Sequence, residues 1–268
     1  MRREQRGELV AYRFESLPAT VEALVSTRRG GVSPPPHDSL NLGLWTADEA
    51  ERVIENRRRL FAGFELPFER SVWCRQVHSD GVVVVGEADA GRGAADEASV
   101  VPDADAMVTD TPDLPLCVKV ADCVPVVVLD PGRGVLGLAH AGWGGTVARI
   151  CSATVRTMGE RFGSSPADLL AAIGPSIGPA GYEVGADVIS RARQAYGERA
   201  AEILTQRGEK ALFDLWAANR IDLEEAGVAA GRIEVAGIAS DERLEDFFSH
   251  RREDGRTGRF ALVACLRT

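Results

Sequence analysis

A chain of 268 residues, 45% hydrophobic and 26% charged, has the composition of a globular protein and can bury a sizeable core. Its net charge of -9 argues against a general surface for nucleic acid or for an anionic membrane. The five cysteines are odd in number and include no CxxC pair, so a disulfide framework is not expected.

The sequence predicts neither an exported nor a membrane-spanning protein. The N-terminal residues MRREQRGELVAYRF are charged and lack the apolar segment of a signal peptide. The longest apolar runs, such as VVVV at 82–85, are far too short to cross a bilayer. We therefore expect a cytoplasmic protein that binds neither nucleic acid nor membranes.

In chain order, the first part of the sequence predicts short strands around one helix. Strands are expected at 9–14 and 22–26, followed by a loop rich in Gly, Pro and Ser that extends to residue 44. A helix is predicted over 47–61, because its apolar positions leave a face rich in Glu and Arg. The segment SVWCRQVHS then alternates like a strand that ends at His78.

Strands and helices alternate through the rest of the chain. Further strands are expected in GVVVVG, DADAMVTD, PLCVKVADCVPVVVLD, GVLGLAHA, LLAAI, RIEVAGIAS and RFALVACLR, and helices at 146–162, 187–196 and 217–226. The sequence contains no internal repeat and no clear linker. We therefore predict an α/β (α+β) fold, with residues 1–268 forming one layered domain of mixed β-sheets flanked by helices.

Two of the four histidines and one cysteine lie at predicted strand ends beside turns, namely His78, Cys123 and His140. Side chains at such positions can converge on one ligand site. Two imidazoles and a thiolate suit zinc, and three protein ligands leave a fourth position for water or substrate. The spacing matches no zinc-finger pattern. Two other interpretations therefore stay open. One is a buried structural thiol beside two ordinary histidines, and the other is a catalytic dyad in which Cys123 is the nucleophile and His140 its base.

Three sequence blocks carry a resemblance to a known family: QVHS at 76–79, ADCVPVVVLD at 121–130 and AHAGWGGT at 139–146. They are accompanied, in the right order, by STRRGGVS, SLNLGL, ENRRRL, DADAMVT, IGPSIGP with YEV, FDLWAANR and GRTGRFA. Over nearly its whole length the chain thus resembles the YfiH-type family, whose members are called laccase-domain, multicopper polyphenol oxidase or purine nucleoside phosphorylase proteins.

The resemblance implies that His78, Cys123 and His140 bind a catalytic zinc, with copper as a second possibility. It implies a layered fold with mixed sheets, similar to a cysteine-hydrolase-like toxin domain. The activity that it implies is phosphorolysis of purine nucleosides (adenosine, inosine, guanosine or methylthioadenosine), together with deamination of adenosine. The expected small-molecule partners are therefore a purine nucleoside and phosphate, and we expect a monomer or a weak dimer.

Two other activities follow from the same resemblance. One is peptidoglycan editing, in which a hydrolase removes a wrong amino acid from a cell-wall nucleotide precursor by attack from a zinc-activated water or from Cys123. The other is copper-dependent oxidation of polyphenols. Four histidines are too few for a multicopper centre, so this activity ranks third.

Several further residues are candidates for substrate binding. Arg28 is a candidate catalytic and substrate-binding residue by the family match, although on composition STRRGG is only a basic turn. Asn41 could bind a ribose or base, or form a turn. Arg251 belongs to a basic group with Arg252, Arg256 and Arg259, which is a possible phosphate site.

Three more features bear on the site. Asp122 could orient a histidine ligand, but alternation along a strand would point it away from Cys123. The aromatic residues Trp143, Phe213 and Trp216 could stack on a purine, or belong to the core. Gly144 stands where the family often has Arg, which puts phosphate affinity in doubt if that Arg binds an anion.

Overall fold

The computed structural model describes residues 1–267 of the chain. Strands β1 to β15 are, in chain order, Arg2–Arg6, Leu9–Arg13, Val21–Ser26, Val72–Trp73, Val82–Val84, Ala106–Thr109, Leu116–Val120, Val124–Asp130, Val135–Ala141, Leu170–Ile173, Glu183–Val184, Leu204–Arg207, Lys210–Phe213, Ile233–Val235 and Phe260–Leu266. Helices α1 to α6 are Ala50–Gly63, Trp143–Val147, Ile150–Phe162, Ala186–Tyr196, Ala200–Ile203 and Leu215–Glu225.

The strands form two six-stranded mixed sheets and one small antiparallel sheet. The first sheet has the order β1-β2-β3-β15-β7-β4, and only the β4–β7 pair is parallel. The second has the order β14-β10-β8-β9-β6-β5, with parallel pairs at both edges. The small sheet has the order β11-β13-β12. The predicted fold class is confirmed.

The two large sheets pack against each other through a shared apolar core. Strands β7, β8, β9 and β15 are buried along their whole length, as their nearly continuous apolar sequences predict. Helices α3 and α6 cover the other face of the second sheet, and α1 packs near the first sheet. The prediction of one domain over 1–268 stays a prediction, and this shared core supports it.

Two predicted elements are wrong in detail. The segment 71–79 is a strand only at Val72–Trp73, because the backbone beyond it turns to meet a buried carboxylate. The helix predicted over 146–162 is two helices, since Arg149 adopts a left-handed φ of 67° between them. Its guanidinium pairs with acidic side chains of α6 and stacks on Tyr196, which holds the break in place.

Other elements were not expected from the sequence. Strand β1 and the small sheet carry short, partly exposed sequences whose alternation is weak. Within residues 1–267, no helix has both the length and the apolar character needed to cross a bilayer.

Candidate metal centre and its cavity

The hairpin of β8 and β9 brings Cys123 next to His140. In its antiparallel register Val124 pairs with Ala141 and Pro125 with His140, so Cys123 lies beside the end of β9. His78 comes from the loop before β5, where it has a φ of 62°. The three candidate ligand atoms lie within 4.8 Å of one another, with 3.8 Å between Cys123 Sγ and His78 Nε2. Small side-chain rotations would bring them around one metal ion.

A buried aspartate that the sequence analysis did not single out holds both histidines. Asp105 accepts a hydrogen bond from Nδ1 of His140 at 2.8 Å, which leaves Nε2 of that ring for a ligand. Its carboxylate also accepts the backbone N–H groups of Val77, His78 and Ser79 at 3.2, 3.0 and 2.7 Å. The only sequence signal for this role is the position of Asp105 in DADAMVT, directly before β6.

The protonation states of Asp105 and His140 favour metal binding. Burial opposes ionisation of Asp105, but hydrogen bonds from His140 and Ser79 outweigh it and lower its pKa to about 2. Burial lowers the pKa of His140 by more than the bond to Asp105 raises it. His140 is therefore a neutral imidazole at neutral pH, the form that binds metals.

Cys123 does not have the features of an activated nucleophile. Burial, with the nearby charge of Asp122, raises the pKa of its thiol to about 12. Its sulfur lies near His78, the histidine that a Cys123–His140 dyad would leave unused. A thiolate at this position therefore needs a cation beside it, as a bound metal would provide.

Two glycines after His140, Gly142 and Gly144, lie very close to His78 and Cys123. A Cβ at Gly142 would lie 2.7 Å from His78 Cδ2 and 3.0 Å from Cys123 Sγ. A Cβ at Gly144 would lie 2.8 Å from the carbonyl oxygen of His78. The backbone of β9 and α2 therefore lies so close to the His78 loop that a Cβ at either position would force a shift. At position 144 this chain packs backbone against backbone.

The cluster lies in the wall of a cavity of about 760 Å³. Besides the three candidate ligands, the residues that give this cavity its aromatic and cationic character are Trp45, Trp143, Tyr182, Lys119, Arg251 and Arg259. The volume and the mixture of aromatic and charged groups suit a small polar molecule that contains a flat ring.

Of the other predicted site residues, Arg251 lies in the cavity wall and Arg28 does not. Arg251 lines the cavity, where its guanidinium lies 5.1 Å from the centre of the Tyr182 ring. Arg28 lies outside the cavity wall and donates to the carbonyl oxygens of Asp38 and Leu244 and to the carboxylate of Glu253. The predicted catalytic role of Arg28 stays a prediction.

Asn41 also lies behind the wall and is fully buried. Its amide donates to Thr46 and Asp48, and its oxygen accepts the N–H groups of Gly43 and Arg259. Asn41 thus fixes two segments that do line the cavity, and its predicted contact with substrate stays a prediction.

Asp122 has a structural role. With a φ of 81°, it accepts bonds from Ser240 and from the N–H of Arg251, and it does not orient a histidine. Of the three aromatic candidates, only Trp143 lines the cavity, since Phe213 is fully buried and Trp216 donates to Ser176. His250 also lines the cavity.

Known proteins match this chain over nearly its whole length. The family model described as multi-copper polyphenol oxidoreductase laccase matches residues 22–267. The chain is 40% identical over 237 residues to purine nucleoside phosphorylase YlmD of Geobacillus stearothermophilus, which covers 88% of this chain and 86% of that protein. It is 39% identical over 250 residues to purine nucleoside phosphorylase YfiH of Escherichia coli, which covers 93% and 95%.

The similarity extends to three dimensions. The crystal structure of YlmD from Geobacillus stearothermophilus superposes with a TM-score of 0.95 at 35% identity, covering 99% of this chain and 98% of that one. The resemblance that the sequence blocks carry is thereby confirmed, and the chain belongs to the laccase-domain, YfiH-type family.

Proposed function

We propose that this chain is a zinc-dependent purine nucleoside phosphorylase that also deaminates adenosine. The observation that carries the proposal is the cluster of His78, Cys123 and His140 in the wall of a cavity large enough for a nucleoside. Relatives named purine nucleoside phosphorylase support the choice of reaction.

The donor atoms of the cluster suit zinc. Two imidazole nitrogens and one thiolate are typical ligands of tetrahedral zinc, with one position left for substrate or water. A divalent cation would also stabilise the thiolate of Cys123 against the burial that otherwise keeps it protonated. When bound, the metal supplies Lewis acidity at the cavity wall. Copper shares some of these ligand preferences, so the test includes metal analysis.

The residues of the chain hold and orient the substrates in this proposal. Trp143 and Tyr182 contribute aromatic surface to the cavity that would receive a purine, and Arg251 offers a guanidinium to a phosphate or a ribose. Arg28 and Asn41 act from behind the wall, by fixing the loops that form it. Asp105 keeps His140 in one tautomer and one orientation.

The two reactions differ in the group that attacks. In phosphorolysis a phosphate oxygen bonds to the anomeric carbon of ribose, the carbon–nitrogen bond to the base breaks, and the purine leaves with a proton. In deamination water adds at the six-position of adenosine, and ammonia leaves to give inosine. Both reactions need a purine held at a fixed distance from a polar reacting group, and a cavity with aromatic and cationic side chains supports this requirement.

The test is an assay of metal-analysed protein with adenosine and inosine, with and without phosphate, in which free base and ammonia are measured separately. We expect phosphate-dependent release of base, release of ammonia from adenosine, loss of both on chelation and recovery with zinc. The variant Lys210→Gln, which changes an exposed side chain, serves as the control.

Two results would contradict the proposal. Stoichiometric metal with no turnover of either nucleoside would move the assignment to amide hydrolysis, with an aminoacyl cell-wall nucleotide as the next substrate. Recovery of activity with copper but not zinc, together with consumption of oxygen in the presence of a phenol, would move it to polyphenol oxidation.

A further inference from the structure

Three cationic side chains line the cavity without a carboxylate partner. Among the described residues, Lys119, Arg251 and Arg259 form no ion pair within 4.0 Å. Their partners are backbone carbonyl oxygens and aromatic rings. Cationic side chains that line one partly buried cavity without an ion-pair partner favour an anionic ligand.

Lys119 is the least expected of the three. It lies on β7 and is only 8% exposed, although lysine is rarely buried. Its Nζ donates to the carbonyl oxygen of Cys74 at 2.9 Å and lies 4.6 Å from the centre of the Trp45 ring. An ammonium group has three N–H donors, and the carbonyl oxygen uses one of them.

Arg259, which lines the same cavity, has spare hydrogen-bond donors. Its Nη1 donates to the carbonyl oxygens of Thr257 and Gly258, while Nε and Nη2 have no hydrogen-bond acceptor among the described residues. Burial lowers the pKa of Lys119 to about 8, and the charges of Arg57 and Arg259 add to this lowering. Lys119 is still mostly protonated at neutral pH.

The carboxylates of the cavity wall are bonded to other groups. Asp103 pairs with Arg75 at 2.6 Å. Asp122 accepts bonds from Ser240 and from the backbone of Arg251, and burial raises its pKa. Neither carboxylate bonds to Lys119 or Arg259, so neither forms an ion pair with these two cations, although the charge of Asp122 acts on Arg259.

We propose that Lys119 and Arg259, with Arg251 as a third cation, form a subsite for a phosphoryl anion beside the His78–Cys123–His140 cluster. An ammonium and a guanidinium are the side chains that proteins use to bind phosphate oxygens. The anion is either free inorganic phosphate or a phosphate group carried by a nucleotide. Its identification as the attacking phosphate of phosphorolysis rests on the proposed function.

The composition of the chain permits a direct test. The chain contains only two lysines, Lys119 and Lys210, and Lys210 is exposed and paired with Glu183 at 2.6 Å. Protein labelled with ¹³C at lysine Cε therefore gives two lysine signals, which the variant Lys210→Arg assigns. The labelled protein is titrated separately with inorganic phosphate, with a nucleoside monophosphate and with sodium chloride at matched ionic strength.

We expect phosphate to shift the Lys119 signal in a saturable manner while the Lys210 signal and the chloride titration stay flat. A shift with the nucleotide alone would support the same subsite and assign the phosphoryl group to the substrate. No saturable shift with either anion, or equal shifts of both lysines, would overturn the proposal. The titration needs no turnover, so its outcome is independent of whether a nucleoside is cleaved.

A kinetic comparison then follows from the binding result. In Lys119→Gln we expect the dissociation constant for inorganic phosphate to rise about tenfold, as expected for loss of one charge-assisted hydrogen bond. If phosphorolysis is confirmed, KM for phosphate rises by a similar factor while KM for the nucleoside changes little. Lys210→Gln leaves both constants unchanged. An unaltered phosphate affinity in a folded Lys119→Gln protein would also overturn the proposal.

Discussion

Two buried aspartates, Asp105 and Asp222, perform the same local task in different parts of the molecule. Both are fully buried, and both accept consecutive backbone N–H groups where the chain changes direction. Asp105 accepts those of the His78 loop. Asp222, on α6, accepts those of Cys151 and Ser152 at the start of α3.

The two carboxylates differ in the direction of their pKa shifts. The pKa of Asp105 falls to about 2, because its hydrogen bonds outweigh burial. The pKa of Asp222 rises, because burial outweighs the bonds from Ser152 and the charge of Arg149. Asp105 also bonds to an imidazole at a cavity, whereas Asp222 supports a helix end in the core. Burial of a carboxylate therefore does not by itself mark a functional site, and the groups that it orients do.

Two cysteines give the strongest test of this difference. Cys123 lies in the metal cluster, whereas Cys151 is fully buried near Asn219. We expect Cys123→Ala to lose stoichiometric zinc and activity together, because it removes one of only three protein ligands. Cys151→Ala should keep zinc and lose only stability. Elemental analysis and thermal unfolding measure both effects, and a zinc-loaded Cys123→Ala protein would contradict the ligand assignment.

Substitution of the two aspartates should have the next largest effect. Asp105→Asn should weaken zinc binding by about tenfold to a hundredfold, as is typical when the hydrogen-bond partner of a histidine ligand is lost. Asp222→Asn should lower the unfolding temperature and leave zinc affinity unchanged. Competition with a chromophoric chelator gives the affinities. Equal losses of affinity in the two variants would show that the metal site responds to general loosening of the fold.

Acid unfolding of the metal-free protein should show that ionisation of the two carboxylates changes the free energy of unfolding in opposite directions. Asp105 has a lowered pKa, so its contribution of about 2 kcal/mol is present above its ordinary pKa of 3.8 and is lost as the pH falls toward 2. Asp222 has a raised pKa, so its ionisation destabilises the fold, and acidification relieves that cost. Urea unfolding of wild type, Asp105→Asn and Asp222→Asn between pH 2 and pH 5 measures both trends. Parallel curves for all three proteins would refute the assignment.

A small effect is expected at Gly144. A Cβ there would press against the His78 carbonyl oxygen at 2.8 Å, so Gly144→Ala should displace the loop at a cost of about 1 kcal/mol and weaken zinc binding. Gly231→Ala is the control, because a Cβ at that position meets no atom within 4 Å. Unchanged zinc affinity in Gly144→Ala would mean that the His78 loop moves without affecting the cluster.

The sequence predicted the parts of the molecule that depend on local pattern. Long apolar runs predicted the central strands β7, β8, β9 and β15, and strand-end positions grouped His78, Cys123 and His140 as candidate ligands. The sequence could not predict long-range polar contacts. Asp105 bonds to residues about 30 positions away on both sides, and no local pattern encodes that.

The same reason explains the other differences. Arg149 breaks a predicted helix through ion pairs with residues more than 70 positions later. Arg28 and Asn41 were singled out by motif, but the structure shows that their polar atoms bond to the protein itself. Lys119 was overlooked because it lies in an apolar strand sequence, and only the tertiary structure reveals that it lines the cavity.

The attachment of both candidate histidine ligands to one carboxylate has an evolutionary consequence. The His78 loop and the His140 ring share Asp105, so a substitution there disturbs both histidines at once. Selection cannot tune the two imidazoles independently through this residue. We therefore expect natural variants to change Asp105 and the two histidines together rather than one at a time.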